Sequence, residues 1–402
     1  MKILFVSYHY WPPYFGGALL HTVERLESLA ERGHKIDVFT SGVEGLNLIE
    51  NKSGFTIHRS NFLRKGNNLE KALHRLYFFL WAIIQLIRRD YEIVHLGSMP
   101  GIDQLTSGLC GLFILMIIHL KKAKAVYLYS LAETGSKAIV LNGIAGYFYG
   151  SFLRQIDVIV VNSAGLYESM HAIIGNNIEM IINGVKDDVF ILNRQIRDCI
   201  RAEYSLHEEI VFVFVGSIEK RKGVDILLEA FESLIKINSK AKLWIIGPYD
   251  KQGNQNLDER ESSLLLKQAM STPGVTCWGR IDERAKLNEL MNASDVFVFP
   301  TLREGMPMAP LQAMSCGLPV IISRIPGITD LANIEGETGL FVQPGDLDSL
   351  QIAMLKLAGS AQLRVRMGAA AVKRIHAHFG WQKHVSEWED LYRRLSEKGR
   401  RS

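Results

Sequence analysis

The sequence predicts an α/β protein made of two open parallel sheets in series. Three observations carry that expectation. Short β-rich runs alternate with longer helix-patterned runs along the chain, as in a parallel sheet covered on both faces. Five of the runs are near-continuous Val, Ile and Phe, the composition of strands buried on both sides. At 402 residues the chain exceeds one compact α/β unit and suits two or three domains, and a polar, charged stretch, Asn183–Ser205, separates two sets of runs as a linker.

In the first set the expected strands are Lys2–Ser7, Lys35–Thr40, Ile93–Leu96, Ala125–Tyr129, Asp157–Asn162 and Glu179–Ile182. A helix over Ala18–Arg32, ended by Gly33, joins the first two. Lys71–Arg89 repeats apolar residues at helical spacing, Leu73, Leu76, Tyr77, Leu80, Ile83, Ile84 and Ile87. Leu105–Leu120 is apolar but interrupted by Ser107, Gly108 and His119, and it falls short of the roughly 20 residues of a membrane span; a buried helix is expected. The second set comprises Ile210–Val215, Lys242–Ile246, Val275–Trp278, Asp295–Phe299, Pro319–Ser323 and Leu340–Val342. A last helix, Val372–Arg394, carries Phe379, Trp381, Trp388 and Tyr392 and is expected to pack back on the first domain.

Composition excludes several classes. With 46 basic and 42 acidic residues the net charge is only +4, unlike a nucleic-acid-coating protein. The apolar share of 48% is that of an ordinary globular chain. Four cysteines stand far apart with no CxxC pair, which fits a reducing compartment and argues against zinc or a disulfide framework. The first strand is followed by aromatics and Pro12-Pro13 rather than by an export signal, so a cytosolic location is expected. Across Arg59–Arg89, however, seven basic residues face one acid, Glu70. Such a basic amphipathic stretch suggests contact with an anionic membrane or a lipid-linked molecule on its inner face.

Three segments carry candidate chemistry. In Asp295–Ser323 a buried strand ends at Pro300, and a loop with Arg303, Glu304 and Gly305 leads to a short helix started by Pro307 or Pro310. Glu304 therefore sits at the carboxyl end of a strand beside a helix N-terminus, where anions bind or where a carboxylate can accept hydrogen bonds from sugar hydroxyls. In Ile210–Phe231 a strand reaches Gly216, then Lys220, Arg221 and Lys222 precede Gly223 and an amphipathic helix. Adjacent cations at a helix N-terminus suit a diphosphate, although the spacing is not that of a Walker loop. Third, Gly16-Gly17 follows the first strand and would let the backbone approach a phosphate or sugar closely. Asp346-Leu347-Asp348 reads as helix capping, His95 as structural, and the histidine spacings predict no metal.

Together these residues resemble the retaining family 4 glycosyltransferases of the GT-B fold. The likeness runs through PPYFGG, IINGVKDDVF, VGSIEKRKGVDILLEAF, LWIIGP, GVTCWGRI, DVFVFP, EGMPMAPLQAMSCGLPVI and TGLFVQPGD. It implies two Rossmann-like domains facing an interdomain cleft: residues 1–185, joined by a C-terminal helix at about 383–402, for the acceptor, and 186–382 for a nucleotide-diphosphate sugar. It also implies a metal-independent, hexosyltransferase-type enzyme of cell-surface polysaccharide or glycolipid synthesis, with the nucleotide sugar as co-substrate and no further cofactor.

By the same resemblance Arg221 and Lys222 hold the diphosphate and Glu304 the sugar hydroxyls. Gly216 and the backbone of Gly305, Met306, Pro307 and Met308 meet the donor, and Arg280 and Ile281 meet the base. The chain departs from the family at three places. Ser217 stands where an Arg is usual, Gln312 replaces the second Glu of Glu-x7-Glu, and Ser130 replaces a His after the fourth strand. Gln312 keeps one neutral acceptor oxygen for the ribose, and Ser130 with Glu133 becomes the candidate acceptor contact. Two alternatives remain open: an inactive partner subunit of the same fold, favoured by Ser217 and Gln312, or a nucleotide-sugar epimerase of that fold, needing no acceptor. A two-domain binding protein of the periplasm would share the paired sheets but lacks a reason for the cationic loop and Glu304.

Overall fold

In strand β1 (Lys2–Val6) the side chains alternate: Leu4 and Val6 enter the core on one face of a sheet, while Ile3 and Phe5 are buried on the other. The computed structural model describes residues 1–10, 17–52, 54–63, 68–97, 104–129, 143–175, 177–250 and 257–401. The chain divides into two compact units, Met1–Ile182 with Val385–Ser402, and Asn183–His384.

The sheet of the first unit has the order β3-β4-β2-β1-β5-β6-β7-β8. Its further strands are β2 (Lys35–Gly42), β3 (Ile49–Lys52), β4 (Phe55–Leu63), β5 (Ile93–Leu96), β6 (Lys124–Tyr129), β7 (Val158–Val161) and β8 (Ile178–Met180). All pairs are parallel except β3 with β4. Helices α2 (Asn68–Arg88), α3 (Gln104–Leu120), α4 (Gly143–Gln155) and α5 (Ala164–Ile174) send residues into one core with Val94 and Leu96. His95, between those two, points to the opposite face, where it meets α13 (Trp381–Arg401). Helix α1 (Gly17–Glu31) lies on that second face as well, placing Arg25 3.8 Å over the Trp388 ring.

That second face carries a buried polar group. His95 Nδ1 and the Tyr392 hydroxyl are 2.6 Å apart, and the imidazole stacks on Trp388. Burial, reinforced by the Arg25 charge, holds His95 well below the usual imidazole range. Burial also lowers Arg25, to about 10. His95 is structural, as expected. Farther along α13, Glu389 takes Arg32 at 2.9 Å and His34 at 3.1 Å, so aromatic packing and ion pairs both fasten this helix to the first unit.

Several expectations need correction. The strands β3 and β4 were not expected, and β4 takes the start of the basic stretch. Arg59 lies in β4, buried, donating to the Asn47 carbonyl at 2.9 Å and pairing with Glu50 of β3 at 2.8 Å. Arg89 reaches His58 at 2.7 Å and Asp37 at 3.7 Å. Arg59–Arg89 is therefore a strand followed by a helix, and two of its cations serve the first unit's own carboxylates; Arg64 and Lys65 lie outside the described residues. Helix α3 is not wholly buried either, since Leu109, Phe113, Met116 and Leu120 are exposed.

The second sheet is entirely parallel, in the order β11-β10-β9-β12-β13-β14. Its strands are β9 (Ile210–Val215), β10 (Ala241–Ile246), β11 (Val275–Gly279), β12 (Val296–Phe299), β13 (Val320–Ser323) and β14 (Gly339–Val342). The polar stretch expected as a linker instead forms α6 (Arg194–Glu203), whose Arg197 and Arg201 reach Asp295 at 2.6 and 3.2 Å. Two of its cations serve one carboxylate, which is 10% exposed, while Arg194, Asp198 and Glu203 face solvent. Helices α7 (Val224–Ile237), α8 (Glu259–Ser271), α9 (Arg284–Ala293), α10 (Met308–Ser315), α11 (Leu347–Ala358) and α12 (Ala361–His378) complete the unit. Asp346 caps α11 through the N–H groups of Asp348 and Ser349, which accounts for the Asp-Leu-Asp motif. The continuous helix expected over Val372–Arg394 is broken at Phe379–Gly380, where Gly380 bridges Val185 and Asp187 meets both His376 and the Trp381 N–H.

Candidate active site

The carboxyl ends of β9 to β12 are drawn together by the loops that leave them. Gly223 adopts φ +71°, and a Cβ there would fall 2.0 Å from the Pro300 carbonyl oxygen. Gly247, at φ +152°, lies as close to Gly216: its Cβ would be 1.9 Å from that carbonyl oxygen. Only glycine fits either approach. The loop after β9 is thereby held against the loop after β12, which is where the two candidate motifs meet.

Lys220–Lys222 form one short 3-10 turn between β9 and α7. Lys222 extends its ammonium over the Phe299 ring and donates to Glu304 Oε1 at 2.5 Å. Thr301 Oγ1 donates to the same oxygen at 3.0 Å, and Arg221 Nη1 stands 3.7 Å from it. Arg221 also pairs with Glu219 at 2.7 Å and donates to the Arg303 carbonyl at 3.2 Å. The backbone joins in: Leu302 N–H donates to the Arg221 carbonyl at 2.9 Å. Exposure separates the two cations. Arg221 is 45% exposed, whereas Lys222 and Glu304 are 14% and 10% exposed, so the Lys222–Glu304 pair lies in the lower dielectric and is screened less by salt.

Helix α10 starts three residues beyond Gly305, with Pro307 at the N-cap. Proline at position 310 falls in the first turn, where the amide N–H has no intrahelical acceptor to lose. The loop ahead of the helix is pinned by Asn183 Nδ2, which donates to the Met306 carbonyl at 3.1 Å, and by the buried Met306 side chain. Gln312 is half-buried on the second turn of α10. Arg280 and Ile281 follow Gly279 at the end of β11, with Arg280 Nε donating to Asp282 at 2.6 Å. Tyr249, at the end of β10, stands beside Gly279.

The structure thus brings Arg221, Lys222 and Glu304 into one cluster and sets Gly216, Gly305, Met306, Pro307 and Met308 on the loops and helix end around it. Gly17 opens α1 in the first unit. Gly16, Ser130 and Glu133 lie outside the described residues. Sequence reasoning missed Thr301, Asn183 and Glu219. Thr301 carried a weak signal, a hydroxyl three positions before the strand-end carboxylate, and Glu219 another, a carboxylate two positions before Arg221; the role of Asn183 depends on a tertiary contact alone. Among the described residues, no group of three or more His, Cys, Asp or Glu is placed to hold a metal ion.

What this arrangement offers is a fixed carboxylate, two nearby cations and a helix N-terminus, all at the carboxyl ends of parallel strands where open α/β sheets bind ligands. Comparison with known proteins gives the class. Residues 15–189 match the model of Glycosyltransferase Family 4, and residues 209–360 match that of Glycosyl transferases group 1. An uncharacterized glycosyltransferase of Methanocaldococcus jannaschii is 24% identical over 98% of both chains. A capsular polysaccharide biosynthesis glycosyltransferase of Staphylococcus aureus is 28% identical over 52% of each. Among solved structures, sucrose-phosphate synthase from Thermosynechococcus elongatus superimposes with a TM-score of 0.79 at 20% identity, over 98% of both chains. The fold is GT-B, and the protein is a glycosyltransferase. The Glycosyltransferase Family 4 and Glycosyl transferases group 1 matches fall on successive parts of the chain and together span most of it.

Proposed function

We propose that the second unit binds a nucleotide-diphosphate sugar at the ends of β9 to β12 and that the enzyme transfers the sugar, with retention, to an acceptor hydroxyl. The observation that carries this reading is the Glu304 carboxylate, fixed by Lys222 at 2.5 Å and Thr301 at 3.0 Å one loop ahead of α10. In the proposed complex Arg221 and Lys222 face the diphosphate, whose negative charge grows as the glycosidic bond breaks. Glu304 accepts from sugar hydroxyls, and the N–H groups of Gly305, Met306 and Met308 face sugar and phosphate. Arg280 and Ile281 meet the base, Gln312 accepts from the ribose, and Gly216 allows close approach, while Gly17 is kept as a donor contact on the sequence alone. Gly16, Ser130 and Glu133 are kept as donor and acceptor contacts on the sequence alone.

Retention follows from attack on the face the leaving group departs from, with the leaving phosphate taking the acceptor proton. No protein nucleophile, metal or further cofactor is invoked. The relative in capsular polysaccharide biosynthesis supports an acceptor of the envelope-glycan kind. The enzyme is proposed to work in the cytoplasm at the inner membrane face, on a lipid-linked acceptor.

Purified protein screened against nucleotide-diphosphate sugars by thermal shift is expected to be stabilised by one of them, because a ligand of the folded state raises apparent stability by mass action. With that donor, Glu304→Ala is expected to lower the transfer rate by about 10²–10³-fold, the scale of losing one electrostatic contact to the transition state. A variant as fast as the wild type would remove Glu304 from the site. Conversion of the donor to its epimer without an acceptor would favour the epimerase reading, and absence of any donor binding the inactive partner subunit that Ser217 and Gln312 leave open.

A further inference from the structure

Helices α2, α3 and α4 cover the same face of the first sheet, and each is apolar on both sides. Inward, Phe78, Ile83 and Leu86 of α2 join Leu115 and Ile118 of α3 and Phe152 of α4 in one core. Outward, α2 carries a second stripe: Leu73, Leu76, Leu80, Ile84 and Ile87 are each 46–53% exposed. Their spacing of three or four residues sets them along one line of the helix. Helix α3 repeats this with Leu109, Phe113, Met116 and Leu120, and α4 adds Ile144 and Tyr147. The helices are neighbours. The rings of Phe79 and Phe113 lie 6.4 Å apart, and a Cβ at Gly108 would come within 2.6 Å of the Tyr149 nitrogen.

Charge on this surface is mostly basic, with Asp90, just past α2, paired with Lys121 at 2.7 Å. Within the three helices Glu70 is the sole acid, and α3 contains no Asp, Glu, Lys or Arg. Arg88 at the end of α2, Lys122 just past α3 and Arg154 near the end of α4 are exposed at its margins. None of the helices described is long and apolar enough to cross a membrane.

From these faces we infer that α2, α3 and α4 together form a docking surface for an anionic lipid bilayer, lying in the interface with their outer apolar stripes against the acyl boundary. A broad exposed apolar patch marks an interaction site, and helices with apolar outer faces and basic margins lie on membranes rather than through them. A second copy of the chain fits the same face poorly. It would set Arg88, Lys122 and Arg154 against their own counterparts, with Glu70 and Asp90 the exposed acids beside them and Asp90 already paired with Lys121 at 2.7 Å. The inference names the surface used under the proposed reading of a lipid-linked acceptor, and it stands on residues separate from the donor site.

The test is flotation of the full chain with vesicles of phosphatidylcholine alone or with phosphatidylglycerol. The wild type is expected to float with the anionic vesicles and to bind less at high salt. Leu80→Glu with Phe113→Glu is expected to abolish flotation. Lys122→Glu with Arg154→Glu is expected to weaken it while leaving the apolar stripes intact, which keeps the test open if the first pair fails to fold. Donor affinity and thermal midpoint, measured on the same samples, should not move. Absence of wild-type flotation, flotation unchanged in both variants, or a wild-type dimer that Leu80→Glu with Phe113→Glu dissociates without any vesicle binding would each overturn the inference. Vesicle binding without binding of any donor would uphold the surface and defeat the donor reading instead.

Discussion

The two units share a parallel sheet with helices on both faces, yet they use their polar side chains in different places. In the second unit Arg221, Lys222 and Glu304 stand at the carboxyl ends of the strands, on loops, partly open to water. In the first unit Arg25, His95 and Tyr392 are sealed between the sheet and its C-terminal helix, while apolar Leu73, Leu80 and Phe113 face outward. A cation on a loop can trade its partner for a ligand's phosphate. A cation sealed against an aromatic ring cannot, and its contribution is to packing. Such a division fits the donor site proposed for the second unit and gives the buried polar cluster of the first a structural role.

The largest effect expected on the structural side is from Trp388→Ala. Trp388 is fully buried, stacks on His95 and carries Arg25 above its ring. Its loss should destabilise the first unit by about 3–5 kcal/mol, the range for deleting a buried aromatic, seen as a lower midpoint in denaturant titration. A change within experimental error would mean that α13 is not a structural part of that unit.

Protonation probes the same cluster more gently. His95 is held neutral in the folded chain, well below the ordinary value near 6.5, so below about pH 6.5 the unfolded chain takes up a proton that the folded chain refuses. Stability should therefore fall as pH drops below that point, by up to about 1.4 kcal/mol per pH unit from this group. Above it His95 contributes no slope. His95→Gln should show less loss than the wild type between neutral and mildly acidic pH; identical slopes would place the imidazole in contact with water.

A smaller effect is expected in the second unit from Gln312→Glu. A charged acceptor strengthens a hydrogen bond by about 1 kcal/mol over a neutral one. Donor affinity should rise a few-fold by titration calorimetry if Gln312 faces the ribose, and stay constant if it does not.

How much of this was legible in the sequence follows the same division. Runs such as IVFVFV and VFVF carry enough buried β-branched and aromatic side chains to mark β9 and β12. The loops after them showed both cations and the carboxylate because those residues are close in sequence to the strand ends. β3 and β4 were missed because Thr56, His58, Arg59 and Ser60 interrupt the apolar pattern, and Arg59 becomes acceptable inside through Glu50 on the antiparallel neighbour and the Asn47 carbonyl. Likewise α6 resembled a linker because the partner of Arg197 and Arg201, Asp295, lies far along the chain. The stripe on α2 was visible as helical periodicity, but which side faced the core was not, since both sides are apolar. Asn183, bonded to the Met306 carbonyl 123 residues away, shows the general limit. Short-range pattern finds elements, whereas hydrogen bonds between distant loops appear only once the chain is folded.

The central claim is that the pair Lys222–Glu304 marks the site of a nucleotide-diphosphate sugar. The most direct measurement is the affinity of the stabilising donor for the wild type, Lys222→Ala and Glu304→Ala, by titration calorimetry. Donor binding by the wild type, weakened about tenfold or more in each variant, a loss of about 1.4 kcal/mol, is the predicted result. Equal affinity in all three proteins would contradict it.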